Sequence, residues 1–183
     1  IRTADREGEI TLIASEPYHT YSRPLISYLL EGKATRESMR YRPADFYEKN
    51  RVTAMLGRTA KEIDPDEKNV VLEDGGRIPY HKLLIATGSV PLVPPIEGLN
   101  GVERQFTFQS LDDAEALDAA LFPGCRVLIV GAGLIGLKCA EGIHPKAGHI
   151  TAVDLANRIL PSVLDAEASR TVPRHIAAHG AER

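Results

Sequence analysis

The apolar residues of this chain fall into short runs separated by turn-forming segments, the pattern of buried strands alternating with helices. The clearest stretch is Cys125 to Asp154, CRVLIVGAGLIGLKCAEGIHPKAGHITAVD. Arg126 to Val130 is a short apolar run rich in β-branched residues and bounded by Pro123-Gly124, which predicts a strand buried on both faces of a parallel sheet. Leu134 to about His144 predicts a helix that Pro145 stops. Ile150 to Val153 predicts a second strand, with Asp154 at its carboxyl end.

The rest of the chain reads in the same terms. Gly8 to Ile13 predicts a strand, and Pro17 to Tyr28 a polar, aromatic loop entering a short helix that ends near Gly32. Thr35 to Met39 reads as a turn into a capped start, and Pro43 to Asn50 as a short amphipathic helix. Val52 to Ile63, Asn69 to Glu73 and Arg77 to Pro79 predict strands, with Asp74-Gly75-Gly76 turning a hairpin, so that a small antiparallel layer is expected. Lys82 to Gly88 predicts a buried strand whose small last residues let backbone approach a ligand. Pro91, Pro94 and Pro95 with Gly98 and Gly101 make an extended connection, and Phe106 to Phe108 a brief strand. Ser110 caps a helix with Leu111, Ala114, Leu117 and Leu121 on one face. A last helix runs from Asp165 to about His179, kinked or divided by Pro173.

Chemistry enters at Gly131, Gly133 and Gly136, a G-x-G-x-x-G between strand and helix. The first glycine permits the tight turn, the second lets backbone approach a diphosphate, and the third lets helix pack on strand. Asp154 follows close to the interval of about 20 residues at which a carboxylate receives a ribose hydroxyl. A 2′-phosphate would meet its charge, which favours NAD over NADP; Arg158 weakens that preference. A second, fainter signal is a repeat: Gly8-Glu9-Ile10-Thr11-Leu12-Ile13 resembles Gly148-His149-Ile150-Thr151-Ala152-Val153. The matching register places the first copy's glycines before residue 1, so the chain is expected to lack the opening strand and glycine turn of an earlier dinucleotide fold. Glu16, two positions later than the match to Asp154, is then a ribose-ligand candidate. Arg23-Pro24 offers a cation to phosphates on a backbone fixed by the ring.

Composition narrows the partners. The 183 residues are 43% hydrophobic and carry 22 Lys plus Arg against 25 Asp plus Glu. That net charge of −3 gives no basic field for nucleic acid or an anionic membrane. No run is long enough to span a bilayer and no signal peptide opens the chain, so the cytoplasm is the default expectation. Cys125 and Cys139 read as buried structural thiols, and the six histidines have no metal-ligand spacing.

Four motifs, ITLIASEPYHTYSRPLIS, KLLIATGSVPLVPPIEG, VLIVGAGLIGLKCAEG and ITAVDLANRILP, resemble in order the FAD-dependent pyridine nucleotide oxidoreductases, especially the branch of NADH:rubredoxin reductases and nitrite reductase FAD/NADH modules. The resemblance implies an α/β fold of two Rossmann-like three-layer domains, both partial in this chain: an FAD domain with an antiparallel β layer over 1–110, a connecting helix and turn over 111–124, and the first half of an inserted NAD(P)H domain over 125–183. It implies FAD at Glu16, Arg23, Pro24, Thr59, Ala60, Ala86, Thr87 and Gly88, and NADH, NADPH less so, at Gly131, Gly133, Leu134, Ile135, Gly136 and Asp154. Hydride would pass from nicotinamide C4 to flavin N5, and electrons then to an acceptor protein or fused redox centre. In the family the region after the NADH domain completes the flavin site and often a homodimer, which the sequence leaves open. Two departures stand out. Where relatives often have Lys after Arg-Pro-x-x-Ser this chain has Tyr28, and where they often have Glu two residues after the third glycine it has Lys138, so that a cation moves to the nicotinamide side beside a neutral neighbour; a solvated helix face is the alternative for Lys138. No cysteine precedes Cys125, which disfavours the thiol-using branches. The competing readings are a non-catalytic dinucleotide-binding module and a fragment inactive by itself.

Overall fold

The computed structural model describes residues 1–172. In chain order its elements are β1 (Ile10–Ala14), a 3-10 turn (Arg23–Leu25), α1 (Ile26–Leu30), α2 (Phe46–Lys49), β2 (Val52–Leu56), β3 (Ala60–Asp64), β4 (Asn69–Leu72), β5 (Arg77–Pro79), a 3-10 turn (Leu99–Gly101), α3 (Leu111–Ala120), β6 (Arg126–Val130), α4 (Leu134–Ile143) and β7 (His149–Val153). They group into two compact units, Ile1–Ser22 with Arg40–Ser89, and Arg23–Met39 with Val90 onward. The Arg23–Met39 segment therefore packs with the glycine-motif region. None of the described helices is long and apolar enough to cross a membrane.

In the first unit β1 and β2 pair in parallel, from Ile10 opposite Val52 to Ala14 opposite Leu56. Beyond β2 the chain turns at Gly57, whose φ of 71° is costly for any residue with a Cβ. The Gly57 N–H donates to the Glu16 carbonyl at 3.1 Å and the Arg58 N–H to that of Ala14 at 2.9 Å. That turn corrects the single strand expected over Val52 to Ile63: β2 and β3 belong to different sheets, because the left-handed glycine redirects the backbone between them. β3, β4 and β5 form the antiparallel sheet, with Pro79 on the edge strand where a missing N–H is tolerated. The Asp74-Gly75-Gly76 hairpin is as expected: Gly75 has φ 86°, and the Gly76 N–H donates to Asp74 Oδ1 at 3.0 Å.

Lys82 to Gly88 is a second correction. It joins no sheet, and Leu84 and Ile85 are 75% and 64% exposed. An apolar run becomes a buried strand only when ladder partners take up its N–H and C=O groups; among the described residues it has none. Phe106 to Phe108 likewise forms no strand.

In the second unit α1 packs against both α3 and α4, burying Ile26, Leu30, Leu111, Ala114, Leu117 and Ile143. Gly142 makes the α1–α4 approach close: a Cβ there would lie 2.7 Å from the Ser27 carbonyl oxygen. α3 begins with a reciprocal capping box. Ser110 Oγ accepts from the Asp113 N–H at 3.1 Å, and Asp113 Oδ2 accepts from the Ser110 N–H at 2.9 Å. β6 and β7 pair in parallel from Arg126 opposite His149 to Val130 opposite Val153. Ile129 is buried, whereas Leu128 and Val130 are 62% and 54% exposed. The expectation of a strand covered on both faces is thus corrected to one covered face, because α4 lies against only one side of this pair. Helix also forms over residues 168–172, so the last expected helix starts later than Asp165, whose Oδ1 accepts from the Ala168 N–H at 2.8 Å; the part from Pro173 on lies outside the described residues.

Candidate functional site

The site is built where β6 ends. Gly131 takes φ 111°, a conformation that L side chains rarely adopt, and turns the chain into α4. Gly133 is the residue preceding the helix, and a Cβ there would meet nothing within 4 Å. Gly136 is the opposite case: its added Cβ would sit 1.9 Å from the Gly131 carbonyl oxygen and 3.3 Å from Ile129 Cγ2. One glycine keeps a surface clear, and the other lets the helix touch the turn that precedes it. The N–H groups of the first turn of α4 have no intrahelical acceptor and carry the positive end of the dipole, which suits an anion. Leu134 and Ile135, at the start of that turn, are each 64% exposed. These features fit a dinucleotide diphosphate.

Asp154 closes the far side. Its Oδ1 accepts from the Ala156 N–H at 2.8 Å and its Oδ2 from the Ala132 N–H at 2.7 Å. Those two bonds, Ala156 first, hold its carboxyl below the usual carboxylate range. The sequence offers this carboxylate as a ribose-acceptor candidate; in the structure it ties β7 to the glycine turn. Each carboxylate oxygen has a further lone-pair direction, so these bonds leave acceptor capacity for a ligand hydroxyl. Asp154 lines an open cleft of ≈ 580 Å³ with Ala132, Arg158, Ser169 and Arg170 among its other walls. Ser169 and Arg170 were not legible, because a fold contact rather than a motif brings them to the cleft. Ser169 Oγ donates to the Ile159 carbonyl at 2.9 Å, which fixes that wall.

The structure brings Tyr28 and Lys138 together. Lys138 Nζ lies 4.4 Å from the centroid of the Tyr28 ring, and it pairs with Glu141 on the next turn of α4. That hydrogen bond to Glu141 raises the Lys138 pKa above its ordinary value, against a smaller opposing effect of burial. Glu141 went unnoticed in the sequence, although its spacing of three from Lys138 is a local signal.

The residues assigned to FAD are divided between the units. Glu16, in the first, follows β1 and accepts from the Tyr21 hydroxyl at 2.7 Å. Thr59 lines a second open cleft of ≈ 250 Å³, and its carbonyl accepts from the Glu73 N–H at 2.9 Å. Ala60 opens β3 at a bulge. Ala86, Thr87 and Gly88 lie in the exposed irregular segment, with Gly88 at φ 74°. Arg23 and Pro24 belong to the second unit, in the 3-10 turn before α1, where Arg23 Nη1 donates to the Gln109 carbonyl at 3.2 Å. Among the described residues no cluster of three or more His, Cys, Asp or Glu could hold a metal ion.

A parallel strand pair joined by a glycine turn and helix, with a carboxylate at the second strand's end, defines a dinucleotide-binding α/β protein. Residues 1–182 match the family described as pyridine nucleotide-disulphide oxidoreductase, and the chain belongs to that family of oxidoreductases. The NADH-dependent phenylglyoxylate dehydrogenase subunit epsilon of Aromatoleum evansii is 32% identical over 90% of this chain and 39% of that subunit. Among solved structures, that of the covalent putidaredoxin reductase-putidaredoxin complex matches with TM-score 0.87 and 30% identity over 99% of this chain and 44% of the other. The NADH:rubredoxin oxidoreductase of Clostridium acetobutylicum matches with TM-score 0.80 and 26% identity, over 94% of this chain and 45% of the other. The chain thus spans less than half the length of these relatives, and the fold is the α/β nucleotide-binding architecture they share.

Proposed function

We propose that this chain is the nucleotide-binding part of an FAD-dependent NADH oxidoreductase that passes electrons to a small redox protein or a fused redox centre. The observation that carries the reading is the glycine turn: at Gly136 an added Cβ would sit 1.9 Å from the Gly131 carbonyl oxygen, while Gly133, three residues earlier, borders open space. A turn built only for packing has no need of the second feature. Gly133 and the first turn of α4 receive the diphosphate, Leu134 and Ile135 border it, and Asp154 accepts from a ribose hydroxyl. Glu16, Arg23, Pro24, Thr59, Ala60 and Ala86–Gly88 are the FAD-holding set. Arg23 offers charge to phosphates, and Gly88, at a positive φ, brings no side chain to the end of the Ala86–Gly88 segment. FAD, when bound, supplies the hydride acceptor and electron store that no side chain provides. The segments 1–110 and 125–183 serve the two nucleotides in turn, with 111–124 between them. One structural relative is a putidaredoxin reductase in complex with putidaredoxin and another is an NADH:rubredoxin oxidoreductase, which supports an acceptor of that class. On this reading NADH is drawn from the cytoplasm.

The test is an absorbance spectrum of the complete native polypeptide, followed by anaerobic addition of NADH. A flavin spectrum that bleaches supports the proposal. A colourless protein that binds NADH overturns it in favour of a binding module.

A further inference from the structure

Lys138 is placed against two local preferences. It sits in the first half of α4, toward the positive end of the helix dipole, and it precedes Glu141, the weaker order for an ion pair along a helix. Its side chain is nevertheless fixed from two sides. The ring of Tyr28, on α1, lies under the ammonium at 4.4 Å, and the Glu141 carboxylate binds it from the C-terminal side. α1 is itself locked onto α4 through Gly142, where any Cβ would strike the Ser27 carbonyl oxygen at 2.7 Å. Tyr28 follows Ser27 directly, so the contact that sets the helix spacing also sets the ring under the cation. Glu141 acts in addition on Lys33, which is paired with Glu31. The α1–α4 seam thus brings together the Tyr28 ring, Lys138 and Glu141, and the cation nearest the glycine turn along α4 is Lys138. Its Cα lies about 7.5 Å of helix rise beyond Gly133.

We infer that the Lys138 ammonium, positioned by Tyr28 and throttled by Glu141, is an affinity-determining charge for the dinucleotide diphosphate at the N-terminus of α4. The inference rests on the NADH-binding reading above. A unit charge at this range, partly screened by solvent, changes the affinity for a dianion by roughly tenfold. Glu141 opposes it, so the two residues act on nucleotide affinity with opposite sign. A staple holding α1 to α4 would instead make removal of either residue harmful in the same direction.

The experiment measures the NADH dissociation constant by fluorescence titration, without turnover and at two salt concentrations, in the complete native polypeptide and its Lys138→Met, Lys138→Arg and Glu141→Gln variants. Melting temperature is recorded for each. Lys138→Met should raise the dissociation constant about tenfold at low salt and flatten its salt dependence. Lys138→Arg should stay within about twofold of the parent, and Glu141→Gln should tighten binding. If Lys138→Met binds as the parent does, or if Lys138→Met and Glu141→Gln weaken binding equally, the inference is overturned while the proposed function stands. A parent chain that does not bind NADH overturns both.

Discussion

Two parallel strand pairs, β1–β2 and β6–β7, each five residues per strand and in regular register, are closed in different ways. β6 and β7 are joined by the glycine turn and α4, so their crossover lies directly on their own sheet. β1 and β2 are joined by a connection that leaves the unit at Arg23 and returns at Arg40. The internal repeat matches β1 to β7; β7 pairs with β6, and β1 pairs with β2. The glycines after β6 and after β2 do different things. Gly136 lets α4 close tightly on the turn after β6, and Gly57 redirects the chain after β2.

The most severe way to break the comparison is Gly136→Ala. The new methyl would stand 1.9 Å from the Gly131 carbonyl oxygen, and neither partner is a flexible side chain. α4 must lift from β6, at an expected cost of about 3 kcal/mol or more in urea unfolding. Gly133→Ala sharpens the contrast: with open space around it, stability should change by less than about 1 kcal/mol, while NADH affinity falls. Equal destabilisation by the two would mean that Gly133 serves packing alone. Gly57→Ala should lie between them. Its Cβ would meet Pro17 at an ordinary 3.5 Å, so only the positive φ is strained, at about 1–2 kcal/mol. A cost near that of Gly136→Ala would show that β1–β2 depends on a steric fit after all.

The next effect is smaller and depends on pH. Burial alone would raise the Asp113 pKa, but the N–H groups of Ser110 and Gln109 and the Thr107 hydroxyl outweigh it and leave the pKa lowered. A carboxylate lowered on folding stabilises above its unfolded value of 3.8, and that contribution is lost as pH falls through the lower folded value. Asp113→Ala should cost about 1 kcal/mol at pH 7 and less at pH 3. A mutant deficit that does not shrink in acid would assign the cap to geometry rather than charge.

These contrasts also mark what the sequence could disclose. The glycine turn, α4, the Ser110 cap and the Asp74 hairpin depend on neighbours a few residues away, and each was legible. Val52 to Ile63 was misread because one glycine sends two apolar runs into different sheets, an outcome invisible to periodicity. Lys82 to Gly88 was misread because its apolar content reports what the run prefers, whereas strand formation requires a partner. Gly148 was read only as the first residue of the internal repeat. Its reason is the Gly124 Cα, which would lie 2.4 Å from an added Cβ, a contact between residues far apart in the chain. In the site, the carboxylate of Asp154 was legible from spacing, but its bond to the Ala132 N–H was not. Tyr28 and Lys138 stood out as departures from a family pattern, and only packing of α1 on α4 shows them in contact.

The smallest effect concerns the thiols at the two ends of the β6–α4 segment. Cys125 precedes β6 and Cys139 lies in α4; both are buried and free. Burial pushes the Cys139 thiol from 9.0 up to about 11. A thiol raised on folding favours the native state fully below 9.0, and that contribution is lost as pH rises from there through about 11. Because the thiolate is the nucleophile, iodoacetamide at pH 8 should leave Cys139 unmodified in the native chain and alkylate it in urea, as read from peptide masses. Fast native labelling at pH 8 would mean that α4 opens readily from its neighbours. The tight crossover at Gly136 would then be a static fit without matching rigidity, and the contrast with β1–β2 would lie in geometry alone.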